Sequence, residues 1–168
     1  GNTSEMRPAG GFIGSYIDLV LRGGNIEQIN VHDINDTDRD LKEKIIPPQP
    51  IQAIASRWRA ADANWFFNVP DSSSKVIELM ESSDLYRAAS TTFDGAVLIT
   101  PKVVADLLEL TGPLILPKSE ITINKDNFLT EIQKEIERSR SERASYPKQI
   151  LTELAPLLVE RLAVLDDN

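Results

Sequence analysis

Apolar residues recur along this chain at spacings that switch between about two and about 3.6. Phe12, Ile13, Tyr16, Ile17 and Val20 give the segment Phe12–Arg22 an aromatic and β-branched run that predicts a strand. Gly23-Gly24-Asn25 predicts a turn. Ile26–Ile34, with Ile26, Ile29 and Val31, predicts the second arm of a hairpin. Asn35–Lys44 is charged, with room for a short helical turn, and Pro47-Pro48-Gln49-Pro50 interrupts any regular element.

Helical spacing dominates the rest. Pro70-Asp71-Ser72 predicts a helix start, with Val76, Ile77, Leu79 and Met80 as the buried stripe. Phe93–Ile99 is a short apolar run that suits a strand covered on both faces. Thr100-Pro101 predicts the start of a helix carrying Val103, Val104, Leu107 and Leu108, which stops at Gly112-Pro113. Leu114-Ile115-Leu116 is the next strand, so Phe93–Leu116 predicts a parallel strand–helix–strand crossover. Ile121-Thr122-Ile123 alternates like a strand. A helix capped by Asn124 or Asp126 follows, with Phe128, Leu129, Ile132 and Ile136 on one face. Ser139–Tyr146 is a polar linker or helix end. Ile150, Leu151, Leu154, Leu157, Leu158, Leu162 and Leu165 form a last helical stripe that Pro156 should bend. The expected fold is α/β: a central mixed sheet, built from the N-terminal hairpin and the parallel crossover unit, covered by helices.

Composition narrows the class. The 168 residues are 41% hydrophobic and 26% charged, which is globular composition. One domain over 1–168 is expected, with a C-terminal helical segment at 147–166. With 26 acidic against 18 basic residues the net charge is −8, a balance that repels phosphate backbones and argues against nucleic acid as a partner. Zinc–thiolate sites and thiol nucleophiles are excluded because there is no cysteine. No apolar run reaches the roughly 20 residues of a membrane-spanning helix, so no span is expected within this chain. Any export signal or anchor would lie outside it.

Four groups of residues invite chemistry, and each has a structural alternative. In Glu5–Gly14, the glycines can take positive φ or let a ligand approach the backbone, and Arg7 can clamp an anion; packing at a strand start is the alternative. Arg57–Trp65 combines arginines, Asp62, Asn64 and two indoles, a set able to hold a sugar or a phosphate. There the alternative makes both tryptophans core and the charges a rim. Asp33, Asp36, Asp38 and Asp40 resemble the start of a calcium loop. Counting from Asp36, however, Leu41 and Pro47 stand where that loop needs Gly and Glu, so a solvated acidic loop is expected. His32 is the sole histidine, and no nucleophile elbow accompanies it.

In order, Glu5-Met-Arg-Pro-Ala-Gly-Gly-Phe-Ile-Gly-Ser-Tyr16, Asp62-Ala-Asn-Trp65, Pro70, Phe93-Asp-Gly-Ala-Val-Leu-Ile-Thr-Pro101, Thr111-Gly-Pro113 and Ile121-Thr…Asn127 resemble the bacterial domain-of-unknown-function family 4012. The resemblance covers a family core at 1–138. It implies an extracytoplasmic domain from a longer, membrane-anchored surface protein, placed at the cell envelope; the departures at Ala61 and Asn68, with Trp58 and Trp65 for stacking, favour a module that binds an envelope glycan or a protein partner. Two positions depart from the family pattern. Ala61 stands where an arginine is usual, which leaves Arg59 or Arg57 as the nearby substitute, and Asn68 stands where an aspartate is usual. The layout is also loosely similar to the LytR–CpsA–Psr domain. That likeness implies a phosphotransferase acting on polyprenyl-pyrophosphate-linked glycopolymers, with Arg7 and Arg59 on the pyrophosphate and Glu5 and Asp62 as candidate ligands of Mg²⁺. A third possibility is an assembly scaffold. The candidate ligand-binding residues are therefore Glu5, Arg7, Arg59, Asp62, Asn64 and Trp65.

Overall fold

The computed structural model describes residues 11–142 and 149–166, with side chains for 11–138 and 149–164. Two compact units result: residues 11–16 with His32–Leu98, and Ile17–Val31 with residues 99–166. The hairpin predicted from Phe12 to Ile34 is present as β1 (Ser15–Arg22) and β2 (Asn25–Asp33). Its turn is Gly23-Gly24, at φ 58° and 85°. Two successive positive φ values are what a tight two-residue hairpin turn needs, and glycine reaches them without strain.

The first unit is helical. Asp33 caps α1 (Ile34–Asp40) by accepting from the Asn35 N–H at 2.8 Å. Spacing in α1 sets Ile34, Thr37, Asp38 and, just beyond, Leu41 on one face, and all four are buried. The short α2 (Gln49–Gln52) follows, then a 3-10 turn at Ala60–Asp62. Next come α3 (Val69–Ser82), at the predicted place, and α4 (Asp84–Arg87). Ile34, Leu41, Trp58, Leu79, Met80 and Tyr86 make the core. Buried hydroxyls tie it together. Ser72 Oγ bonds both the N–H and the carbonyl of Phe66 at 2.9 Å, and Ser83 Oγ donates to the Thr37 carbonyl at 2.8 Å. The Tyr16 hydroxyl joins Thr37 Oγ1 and the Tyr86 hydroxyl, each at 2.7 Å, while its ring stacks on His32.

In the second unit, α5 (Pro101–Thr111) starts at Pro101 and ends at Gly112, φ 75°, as the sequence indicates. Thr100 occupies the capping position without a side-chain cap bond. β3 (Leu114–Leu116) and β4 (Ile121–Ile123) form an antiparallel pair, followed by α6 (Phe128–Glu142) and α7 (Gln149–Asp166). Leu108, Leu114, Leu116, Ile123, Phe128, Ile150, Leu154 and Leu158 form its core. The predicted α7 stripe is borne out from Ile150 to Leu162, and the Leu165 side chain lies outside the described residues.

The expected sheet is corrected. The fold is mixed α/β, but with two separate two-stranded antiparallel sheets among the described residues rather than one central mixed sheet. Phe93–Ile99 forms no strand, so the parallel crossover is absent. Its first residue is drawn elsewhere: Phe93 packs edge-on against Tyr86, and its N–H is taken by Glu81 Oε1 at 2.8 Å. β3 meanwhile pairs with the next strand in sequence. Closing a four-residue connection costs less chain entropy than a crossover.

Candidate functional site

The richest polar cluster is built where the 3-10 turn meets α1. Asp38 and Asp62 are both only 4% exposed. Asp38 Oδ1 accepts from the Ala60 N–H at 2.6 Å and its Oδ2 from the Ala61 N–H at 3.2 Å. These N–H groups open the 3-10 turn and have no partner within it, so the carboxylate serves as a cap delivered from another helix. Asp62 Oδ2 receives the Arg59 fork, Nε at 3.0 Å and a terminal nitrogen at 2.6 Å. Arg57 reaches the other way, donating to the carbonyls of Leu41 at 2.7 Å and Asp38 at 2.8 Å. Its guanidinium thereby closes the end of α1.

Burial holds the Asp38 carboxyl above the usual carboxylate range. The N–H groups of Ala61 and Ala60 and the charge of Arg59 pull it back, while the nearby Asp62 pushes it up again. An arginine beside two buried carboxylates offsets part of that repulsion. Ala61, where the family pattern has arginine, is fully buried and donates only its backbone. Arg59 is therefore the arginine that meets Asp62, and Arg57 is engaged elsewhere.

The remaining predicted residues sit around this knot. Asn64 is buried, and its amide donates to the Gly11 carbonyl at 3.3 Å. Ile13 donates to the Ala61 carbonyl at 2.9 Å, so the glycine-rich segment is stitched onto the 3-10 turn. Gly11 has φ 63°, the positive value its glycine pair allows. Trp58 is buried, with Phe66 tilted against it and the Lys75 ammonium 5.2 Å above its ring. Trp65 is half-buried against the same core. Phe67, two residues on, is 92% exposed. Glu5 and Arg7 lie outside the described residues.

Sequence reasoning missed Asp38. The acidic stretch was expected to be solvated, with room for a short helical turn; the helical turn is present as α1, but Asp38 turns inward with Ile34 and Leu41. The signal was the spacing Ile34, Thr37, Asp38, Leu41, which puts a carboxylate on an apolar face. Such a group is kept only where donors meet it.

A shallow depression of about 450 Å³ is lined by Glu43, Ile77, Glu78, Glu81 and Arg87 among others, apart from the predicted residues. Among the described residues no three His, Cys, Asp or Glu side chains converge in a metal-binding group. No described helix is long and apolar enough to cross a membrane.

No curated protein and no solved structure matches the chain. A family model does, over residues 1–136, which include the stitched Gly11–Ile13 segment, the Asp38–Arg59–Asp62 knot and the α5–β4 unit. On that match the chain belongs to the family described as protein of unknown function (DUF4012).

Proposed function

We propose that this chain is a non-catalytic binding module of a bacterial cell-envelope protein, extracytoplasmic in the parent, whose ligand is an envelope glycan or protein. The observation that carries the reading is the use made of the two buried carboxylates. Asp38 spends both oxygens on the backbone of the 3-10 turn, and Asp62 is held by Arg59. Side chains already engaged in holding the fold are poorly placed to transfer a group. Contact with a ligand then falls to the outside of the same segment. Phe67 is exposed, and so are Asn68 and Asp71, close by in sequence, which offers an aromatic ring, an amide and a carboxylate to a ligand. Sugar rings stack on such faces while their hydroxyls meet the polar neighbours.

The experiment is calorimetric titration of the chain with purified envelope glycan fragments. Binding is expected, and Phe67→Ala should weaken it roughly tenfold, a loss of about 1.4 kcal/mol, without changing the melting temperature. Equal affinity of wild type and Phe67→Ala would remove this face from the account. The transferase alternative, with Arg59 on a pyrophosphate and Asp62 on Mg²⁺, requires the ion pair to open first. That alternative draws on the loose likeness of the layout to the LytR–CpsA–Psr domain.

A further inference from the structure

The chain passes from the first unit to the second between Leu98 and Ile99, inside a stretch that is neither helix nor strand from residue 91 to residue 100. Phe93 is fixed at its start by Tyr86 and Glu81, and Pro101 opens α5 at its end. Every residue from Asp94 to Thr100 is exposed, Val97 to 88%. Within this stretch lies Asp94-Gly95, the one Asp-Gly pair of the sequence, which has no Asn-Gly pair. An aspartate followed by glycine is chemically special. The backbone nitrogen of the following residue can attack the side-chain Cγ and close a five-membered ring, and glycine has no Cβ to crowd that nitrogen. The surroundings of Gly95 are open, since a Cβ added there would meet nothing within 4 Å. Other aspartates before small residues differ: the N–H of Ala63, after Asp62, is bonded to the Ala60 carbonyl at 3.2 Å, and that of Ser72, after Asp71, to the Asn68 carbonyl at 3.1 Å.

We propose that Asp94 is a site of self-modification, at which the Gly95 nitrogen closes on the Asp94 side chain and the main chain is rerouted as isoaspartate. In the first step the bond between the Gly95 nitrogen and Asp94 Cγ forms. The Asp94 carboxylic acid loses its hydroxyl, which departs as water with the proton from the Gly95 nitrogen. Water then adds to one of the two carbonyls of the succinimide ring. Breaking the bond from nitrogen to Cγ restores aspartate. Breaking the bond from nitrogen to the main-chain carbonyl carbon leaves the chain running through Cγ and turns that carbonyl carbon into a free carboxylate. Neither step needs an oxidant, a reductant or an enzyme. The product is one backbone carbon longer between anchored Phe93 and α5, and the cores around Leu79 and Leu154 keep their packing.

The test is storage of the folded full chain for weeks in mildly acidic buffer at body temperature. Peptide mapping by electron-transfer mass spectrometry then locates the succinimide, lighter by one water, and the isoaspartate. Both are expected at Asp94 ahead of every other aspartate. The rate should lie within about threefold of that of a free peptide spanning residues 92–99, because an exposed stretch without regular structure protects little. Gly95→Val should slow the reaction roughly tenfold by crowding the nitrogen, and Asp94→Glu, which would need a six-membered ring, should remove it. Both variants should melt with wild type. An Asp94 that reacts no faster than the other aspartates overturns the proposal. So does a rate indifferent to Gly95→Val, or one that reaches the peptide value only when denaturant unfolds the chain.

Discussion

Asp38 shows how a single residue decides what the surrounding chemistry can be. Its carboxylate replaces the partners that the opening N–H groups of the 3-10 turn lack, at 2.6 and 3.2 Å. Asp38→Ala should lower the unfolding free energy by about 2–4 kcal/mol, by leaving two buried donors unsatisfied, as read by denaturant titration. Asp62 and Arg59 should show a coupling of about 1 kcal/mol in a double-mutant cycle of the same measurement. The value is modest because the Arg59 side chain is 35% exposed and solvent screens the pair. Glu135 carries a pH dependence. Burial holds its carboxyl above the usual range, against the pull of the Ile150 and Gln149 N–H groups and of Arg138. A carboxyl raised on folding binds its proton more tightly in the native state. Stability is therefore lost as pH rises from the ordinary carboxylate pKa through the raised value. Glu135→Gln should melt higher than wild type near pH 7, and the difference should shrink as pH falls below about 4. A gap that widens in acid would contradict the assignment.

Elements were legible where pattern and punctuation agreed. The double glycine with flanking branched residues marked the hairpin, and Thr100-Pro101 with Gly112 bracketed α5. α3 and the α7 stripe followed from apolar spacing. The run Phe93–Ile99 misled because an apolar stretch states only that burial is favourable. Pairing depends on which edge is within reach, and β3 found β4 four residues away. In the polar cluster, Arg59, Asp62 and Asn64 are residues the sequence offered as candidate ligand contacts, and each bonds within the fold, whereas Asp38 was hidden by the acidic residues around it. α7 supplies an element-scale prediction. Pro156 lies inside it and withholds one N–H from the helix ladder. Pro156→Ala should raise the unfolding free energy by about 1–3 kcal/mol.

At the scale of the molecule, each unit carries its own core. Leu79 is fully buried in the first and Leu154 nearly so in the second. Either residue changed to Ala should cost about 2–5 kcal/mol. Hydrogen exchange should place the lost protection chiefly in the unit that holds the substitution. The acidic surface of this family member, net charge −8, adds repulsion between chains and from phosphate-bearing ligands. A neutral or anionic ligand gains no long-range attraction from this charge, so the glycan proposed above would be recognised by local contacts such as Phe67. In the proposed reading the partly exposed Arg59–Asp62 ion pair is structural. Its most direct test is incubation of the folded chain with a polyprenyl-pyrophosphate-linked glycan and Mg²⁺, followed by phosphorus NMR. An unchanged pyrophosphate signal is expected. Release of a phosphorus product by wild type, and not by a folded Asp62→Ala variant, would contradict it.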